Sequence, residues 1–405
     1  MNHERISRRD FLKIAGLGLG ALALGPFRLP ERWIESWPRL NVEDLPSFYQ
    51  DILLRTPKTD FSASGILQMG VMENGVNAMH DVPVSQNKFN RKFLGIAKYN
   101  PNRRFVTDQP IGLAWHWFGD RPEFASTWYP NGTAREYIER GLCGDRSVQF
   151  VVGDGVPEPG QEALDKKLAI VQAELPDENG NWVTSAHILP VDRSLWENGT
   201  QYFANAYYSL LRDYGFSNPN RASILQRLYQ PGFNDRPNTQ LVGIEIQGCF
   251  FEENKYFPGP QKLANTLAVS LAVIRKNKIS SPAFNAYGHE ELDFDKGDPG
   301  KNTILGMKTL VGISALVSGD QELMDLVFGP FTLDGNITKE GAIANYFNFI
   351  KDYFARTTSP RSFVDYWLSY FQTEVIQSLV SQSLVIDTGT NSNSDPNIEA
   401  PPKYH

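Results

Sequence analysis

Residues 284–302 read FNAYGHEELDFDKGDPGKN. One imidazole, His289, and one carboxylate, Asp298, flank a charged, turn-prone run that carries Lys296. Neutral imidazole and carboxylate oxygen both bind Zn²⁺ at about 2.0–2.2 Å. Gly297, Pro299 and Gly300 punctuate the backbone, so Asp298 is expected in a turn of fixed shape rather than in a helix. Two protein ligands do not make a catalytic zinc site; three ligands and an open position do. The third must come from elsewhere in the chain. Residues 279–288 are expected to lead into a strand that ends at His289.

Histidine is scarce, with 6 in the chain. His3 lies in the N-terminal segment and His405 in the tail, which leaves His80, His116, His187 and His289. His116 follows the apolar run 111–115 in GLAWHWFGD, which predicts a strand entering a core. At the end of that strand it would stand where sites of α/β proteins form. A lone histidine there reads more readily as a satisfied core residue, and it gains weight only from its company. Residues 147–153, SVQFVVG, predict a second strand closed by the Asp154-Gly155 turn, and residues 168–171 a short third one. His187 lies in the apolar setting of residues 182–190, WVTSAHILP.

Residues 241–248, LVGIEIQG, alternate: Val242, Ile244 and Ile246 would face one side, Gly243, Glu245 and Gln247 the other. A carboxylate within so apolar a strand is costly unless a metal, a cation or a hydrogen-bond network receives it. Glu245 therefore reads either as the partner of a buried arginine or as a general base facing a cleft. Residues 259–278 predict an amphipathic helix, with Leu263, Leu267, Leu271 and Ile274 on one stripe and Pro260 in its first turn. Residues 198–230, 303–317, 338–355 and 361–385 also carry helical spacing. The apolar stripes Ile343, Tyr346, Phe347, Ile350, Phe354 and Phe363, Trp367, Tyr370, Phe371 read as core rather than ligand grooves. The expected class is α/β: a mixed central β-sheet flanked by helices, with a C-terminal helical appendage.

Composition narrows the function classes. The chain has 405 residues, 41% hydrophobic, enough for a large core and two or three domains. Its net charge of −7 gives no global case for nucleic acid as a partner. The only cysteines, Cys143 and Cys249, exclude a cysteine-rich zinc knuckle; a single disulfide and two separate thiols both remain open. At the N-terminus, Ser7-Arg8-Arg9-Asp10-Phe11-Leu12-Lys13 precedes an uncharged, glycine-rich apolar run over residues 14–24. This is the pattern of a twin-arginine export signal, too short for an ordinary membrane span. Ala21-Leu22-Ala23 offers a cleavage site; left uncut, the signal would tether the protein to a membrane. Lys88, Arg91, Lys92, Lys98, Arg103 and Arg104, set among aromatics, read either as a patch for an anionic wall polymer or as the solvated face of a small β-rich element, the blander and preferred reading.

Together, His116, SVQFVVGDG, SAHI, VGIEIQG, a helix, and GH followed by KGDPG form an ordered series over residues 106–305. The series resembles the type-2 family of zinc-dependent N-acetylmuramoyl-L-alanine amidases, which includes phage amidase lysozymes and peptidoglycan recognition proteins. The resemblance implies Zn²⁺ held by His116, His289 and Asp298. It implies Glu245 as general base and Lys296 as the cation that steadies the oxyanion. His187 matches a histidine lining the substrate cleft, and Trp182 and Asn238 would line the same cleft. The chain departs from the family at Trp117, where a second histidine is common, and at Gln149, where histidine is usual. The interval from His116 to Glu245 is also longer than in compact members.

The implied activity is hydrolysis of the amide between N-acetylmuramic acid and L-alanine, on peptidoglycan or muropeptides outside the cytoplasm. The alternative is a catalytically silent peptidoglycan-binding protein of the same fold; an aspartate retained as third ligand favours activity. A competing motif, HEELD at residues 289–293, differs from the zincin H-E-x-x-H by its last residue. It would make Glu290 the base and leaves Glu245 unexplained. The expected layout is a signal over 1–30, a linker and N-terminal segment over 31–105, the amidase domain over 106–310, helices over 311–387 and a disordered tail over 388–405.

Overall fold

A computed structural model describes residues 37–73, 76–85, 110–118, 127, 129–141, 148–175, 182, 240–248, 258–280, 282–292, 298–332 and 337–357. The central element is a five-stranded mixed sheet. It comprises β4 (Gly112–Trp117), β5 (Phe150–Val152), β6 (Ile170–Gln172), β7 (Leu241–Ile246) and β8 (Ala286–Gly288), in the order β6-β5-β7-β4-β8. The β5–β7, β7–β4 and β4–β8 pairs are parallel, and β6 runs antiparallel to β5. A second sheet, β1 (Thr59–Phe61), β2 (Leu67–Glu73) and β3 (Val76–Asp81), is an antiparallel meander. Buried Gln172 joins the two: its side chain accepts the Leu67 N–H and donates to the Gly65 carbonyl.

The parallel strands are apolar because both faces are covered. Leu113, Trp115, Val242, Ile244, Phe150 and Val152 belong to the large core cluster. Trp115 donates its indole N–H to Ser270 Oγ of α2 (Pro260–Asn277) at 3.1 Å, which seats that helix on one face. Pro260 occupies the first turn of α2, and Lys278 closes it in the left-handed region at φ 51°. Asn265 of α2 donates to the carbonyls of Gly153 and Gly155 at 2.7 and 2.9 Å, tying the turn after β5 to the helix start. The first of these helices, α1 (Ser47–Arg55), buries Tyr49 and Ile52 in the same core.

The C-terminal helices α3 (Lys301–Ser318), α4 (Gln321–Phe328) and α5 (Lys339–Thr357) belong to that same core cluster, with Phe328, Phe331, Tyr346 and Phe347 almost fully buried. The expected boundary at residue 310 falls inside α3, so the domain and the helical region share a helix. α4 was not expected. Its marks are Gly319 at φ 67°, closing α3, and Asp320, whose side chain accepts the Leu323 N–H as an N-cap. The segment read as a linker also packs: Trp37 is buried, donating from Nε1 to Asp325 Oδ1 at 2.6 Å. Among the described residues, no helix is long and apolar enough to cross a membrane. The basic residues 88–104, both cysteines, the helical patterns at 198–230 and 361–385 and the tail lie outside the described residues.

Candidate metal centre

The site forms at the C-terminal ends of β4, β7 and β8. Parallel strands in register deliver neighbouring residues to one sheet edge, so a ligand at a strand end meets ligands from strands far away in sequence. On β4, Trp115 pairs with Gly288 of β8, and β8 ends there. The next residues, His116 and His289, therefore come side by side. Their ring centroids lie 4.5 Å apart with the planes at 65°. A one-turn helix, His289–Leu292, starts at once, and the Glu290 N–H donates to the Asp298 carbonyl at 3.0 Å. That bond draws the Asp298-Pro299-Gly300 turn back over the strand ends.

Asp298 Oδ2 lies 3.1 Å from His289 Nδ1 and 3.6 Å from His116 Nδ1. The donor atoms of all three lie within 4.8 Å of one another, and the residues are 2%, 6% and 5% exposed for His116, His289 and Asp298. Ligand atoms at 2.0–2.1 Å from a tetrahedral ion lie about 3.3 Å apart. Both Asp298 distances bracket that edge length, and two nitrogens with one carboxylate oxygen are a zinc-type donor set. The group could thus hold a metal ion.

Burial alone would raise the Asp298 carboxyl. The adjacent His289 charge and hydrogen bonds from both imidazoles outweigh it and hold the group below the usual carboxylate range. The anionic form is thus the resident one, as a metal ligand requires.

Glu245 is the register partner of His116 on β7, with Val151 opposite it on β5. It is the one half-buried residue in an otherwise buried strand. Gln149 is buried, and its Oε1 accepts the Gly243 N–H of β7 at 2.6 Å. Trp182 is not brought to this cluster. It is buried against Phe61 and Phe150 and donates to Asn277 Oδ1 at 2.8 Å. Asn277 ends α2, whereas the helix start is tied to the turn at the C-terminal end of β5, so Trp182 sits at the other end of the sheet. Lys296, His187 and Asn238 lie outside the described residues, as does Asp293 of the HEELD motif.

Two residues beside the cluster were missed from sequence: Glu291, next to the ligand turn, and Lys308, the one lysine inside the apolar stretch of α3. A lone lysine among Ile304, Leu305, Met307, Leu310 and Val311 was the available signal, since a buried ammonium demands a partner. Comparison with protein-family models, with curated proteins and with solved structures finds no match to this chain.

Proposed function

We propose that this chain is an exported zinc amidase of the type-2 kind, which hydrolyses the amide between N-acetylmuramic acid and L-alanine in peptidoglycan. The observation that carries the proposal is the convergence of His116, His289 and Asp298 on one buried point, with Glu245 on the neighbouring strand. The ordered motifs of residues 106–305 and the twin-arginine pattern support it from the sequence side.

His116, His289 and Asp298 would hold the ion. When bound, Zn²⁺ supplies Lewis-acid polarisation of a carbonyl and acidifies water. Glu245 takes the proton from the attacking water as the C–O bond forms, and returns it to the leaving amine of L-alanine as the tetrahedral adduct collapses and the C–N bond breaks. Lys296 donates to the oxyanion in this reading, the role of a preorganised cation where charge develops. Trp182 has no part in the cleft here, because its ring and N–H are both engaged in the core.

The test is purified protein on defined muropeptides, with and without chelator, scoring new amine. Release that chelation abolishes and Zn²⁺ restores is expected. No release under any metal condition, with muropeptide still bound, would leave a silent wall-binding protein.

A further inference from the structure

A buried ion pair lies against the metal cluster, unused by the chemistry above. Lys308 Nζ, midway along α3, stands 3.0 Å from Glu291 Oε1, and the two side chains are 1% and 4% exposed. The other carboxylate oxygen, Oε2, accepts the Gly288 N–H at 2.7 Å. Gly288 is the residue that hands His289 to the cluster. On its far side Lys308 is held by α5: its Nζ lies 5.1 Å from the Tyr353 ring centroid, and its carbonyl accepts the Tyr346 hydroxyl at 2.6 Å. An unbroken series of contacts therefore runs from α5 through Lys308 and Glu291 to the backbone before His289.

Stability is a poor reason for such a pair. Each buried ion costs several kcal/mol to desolvate, and apolar residues of similar volume often serve equally well. Geometry is the better reason. Glu291 belongs to the one-turn helix that begins at His289, and its bond to the Gly288 N–H closes that turn around the ligand. In so short a helix this bond adds to the β4–β8 ladder in fixing the imidazole's approach.

We propose that Glu291 and Lys308 are positioning residues for the metal centre: they fix the Gly288–His289 backbone from α3 and α5, so metal affinity depends on the C-terminal helices. This rests on the reading of His116, His289 and Asp298 as metal ligands. Neither residue belongs to the three-residue donor group; both act through His289. Outer partners that orient a ligand are typically worth 10–100-fold in metal affinity.

The test uses the full chain and three readouts: Zn²⁺ affinity by chelator competition, visible absorption of the Co²⁺-loaded protein, and melting of the metal-free protein. Glu291→Leu with Lys308→Met removes both charges and the acceptor for Gly288. Glu291→Gln with Lys308→Met removes the charges but keeps an acceptor. The Leu/Met protein is expected to melt close to wild type without metal, to bind Zn²⁺ about 10–100-fold more weakly, and to show altered Co²⁺ absorption. The Gln/Met protein should recover most of that affinity. A folded Leu/Met protein with wild-type Zn²⁺ affinity overturns the proposal. Should Leu/Met not fold, Glu291→Asp decides, since it keeps the charge but shortens the reach to Gly288: weaker Zn²⁺ binding supports the proposal, unchanged binding overturns it. Wild-type protein that binds no Zn²⁺ would instead sink the metal reading itself, and this inference with it.

Discussion

His116 and Glu245 are register partners across the parallel β4–β7 pair. In a parallel ladder, partners project from the same face of the sheet, about 4.8 Å apart along the hydrogen-bonding direction. One is 2% exposed and the other half-buried, so the same sheet edge offers a ligand in the dark and a carboxylate with access to solvent. That division suits a metal ligand beside a proton acceptor.

Glu245→Gln separates the two roles. Because Glu245 is outside the three-residue donor set, zinc content should stay at wild type. Turnover on muropeptide should fall by about 10²–10⁴-fold, the usual contribution of a general base. Metal analysis and single-turnover rates on one preparation check both halves. Retained full rate removes Glu245 as the base.

Asp298 should keep its charge on acidification. A carboxyl held below its ordinary range stays ionised as pH falls through about 4, and its contribution is lost only on titration through its lower folded value. In the metal-free protein the Asp298 carboxyl carbon should therefore show no titration step at about pH 4 by ¹³C NMR. A step there would return the group to the ordinary carboxylate range.

The legible part of this molecule is the part with short-range causes. β4, β7 and α2 announce themselves through apolar runs, alternation and a proline-led helical stripe, and the structure gives them within a residue or two of expectation. Scarcity of imidazole left four candidate histidines, and the family resemblance singled out His116 and His289 among them, with Asp298 of KGDPG. Trp182 went astray because its neighbours in sequence say nothing of Asn277, with which it pairs across a fold. Glu291 and Lys308 were passed over for the same reason: a buried charge is explained only by its partner, and theirs lie on separate elements. Trp37 fell in the expected linker segment, whereas tertiary burial decided its state.

Trp37 should be a stability residue. Its ring packs on Phe328 at 5.6 Å between centroids, Lys339 Nζ sits 4.8 Å over it, and its N–H reaches Asp325. Trp37→Ala removes a buried aromatic and leaves that carboxylate without its donor, a loss of about 3–5 kcal/mol. Denaturant unfolding should show it as an earlier midpoint. Zn²⁺ affinity of the folded fraction should not change, because Trp37 meets α4 and α5 and not the cluster. A variant as stable as wild type would mean residues 37–45 are the passive linker expected from sequence.

Gly288→Ala tests whether close packing of β8 on α3 is what presents His289. A methyl at Gly288 would collide with the Cδ1 and Cγ1 atoms of Ile304 and come within 3.1 Å of Pro299 Cδ. Ile304 is fully buried, so it has little room to turn away. Overpacking of this kind costs about 1–3 kcal/mol. Any shift of β8 displaces both the His289 imidazole and the Pro299 turn that carries Asp298, so Zn²⁺ binding should weaken along with stability. Ile304→Ala alone should cost about 2–5 kcal/mol by opening a cavity. In Gly288→Ala/Ile304→Ala the new methyl enters that cavity, and the double variant should be more stable than the sum of the singles predicts, with Zn²⁺ affinity partly restored. Additivity to within about 0.5 kcal/mol would show that the two residues do not press on one another, and the glycine would then owe its place to something other than the approach of α3.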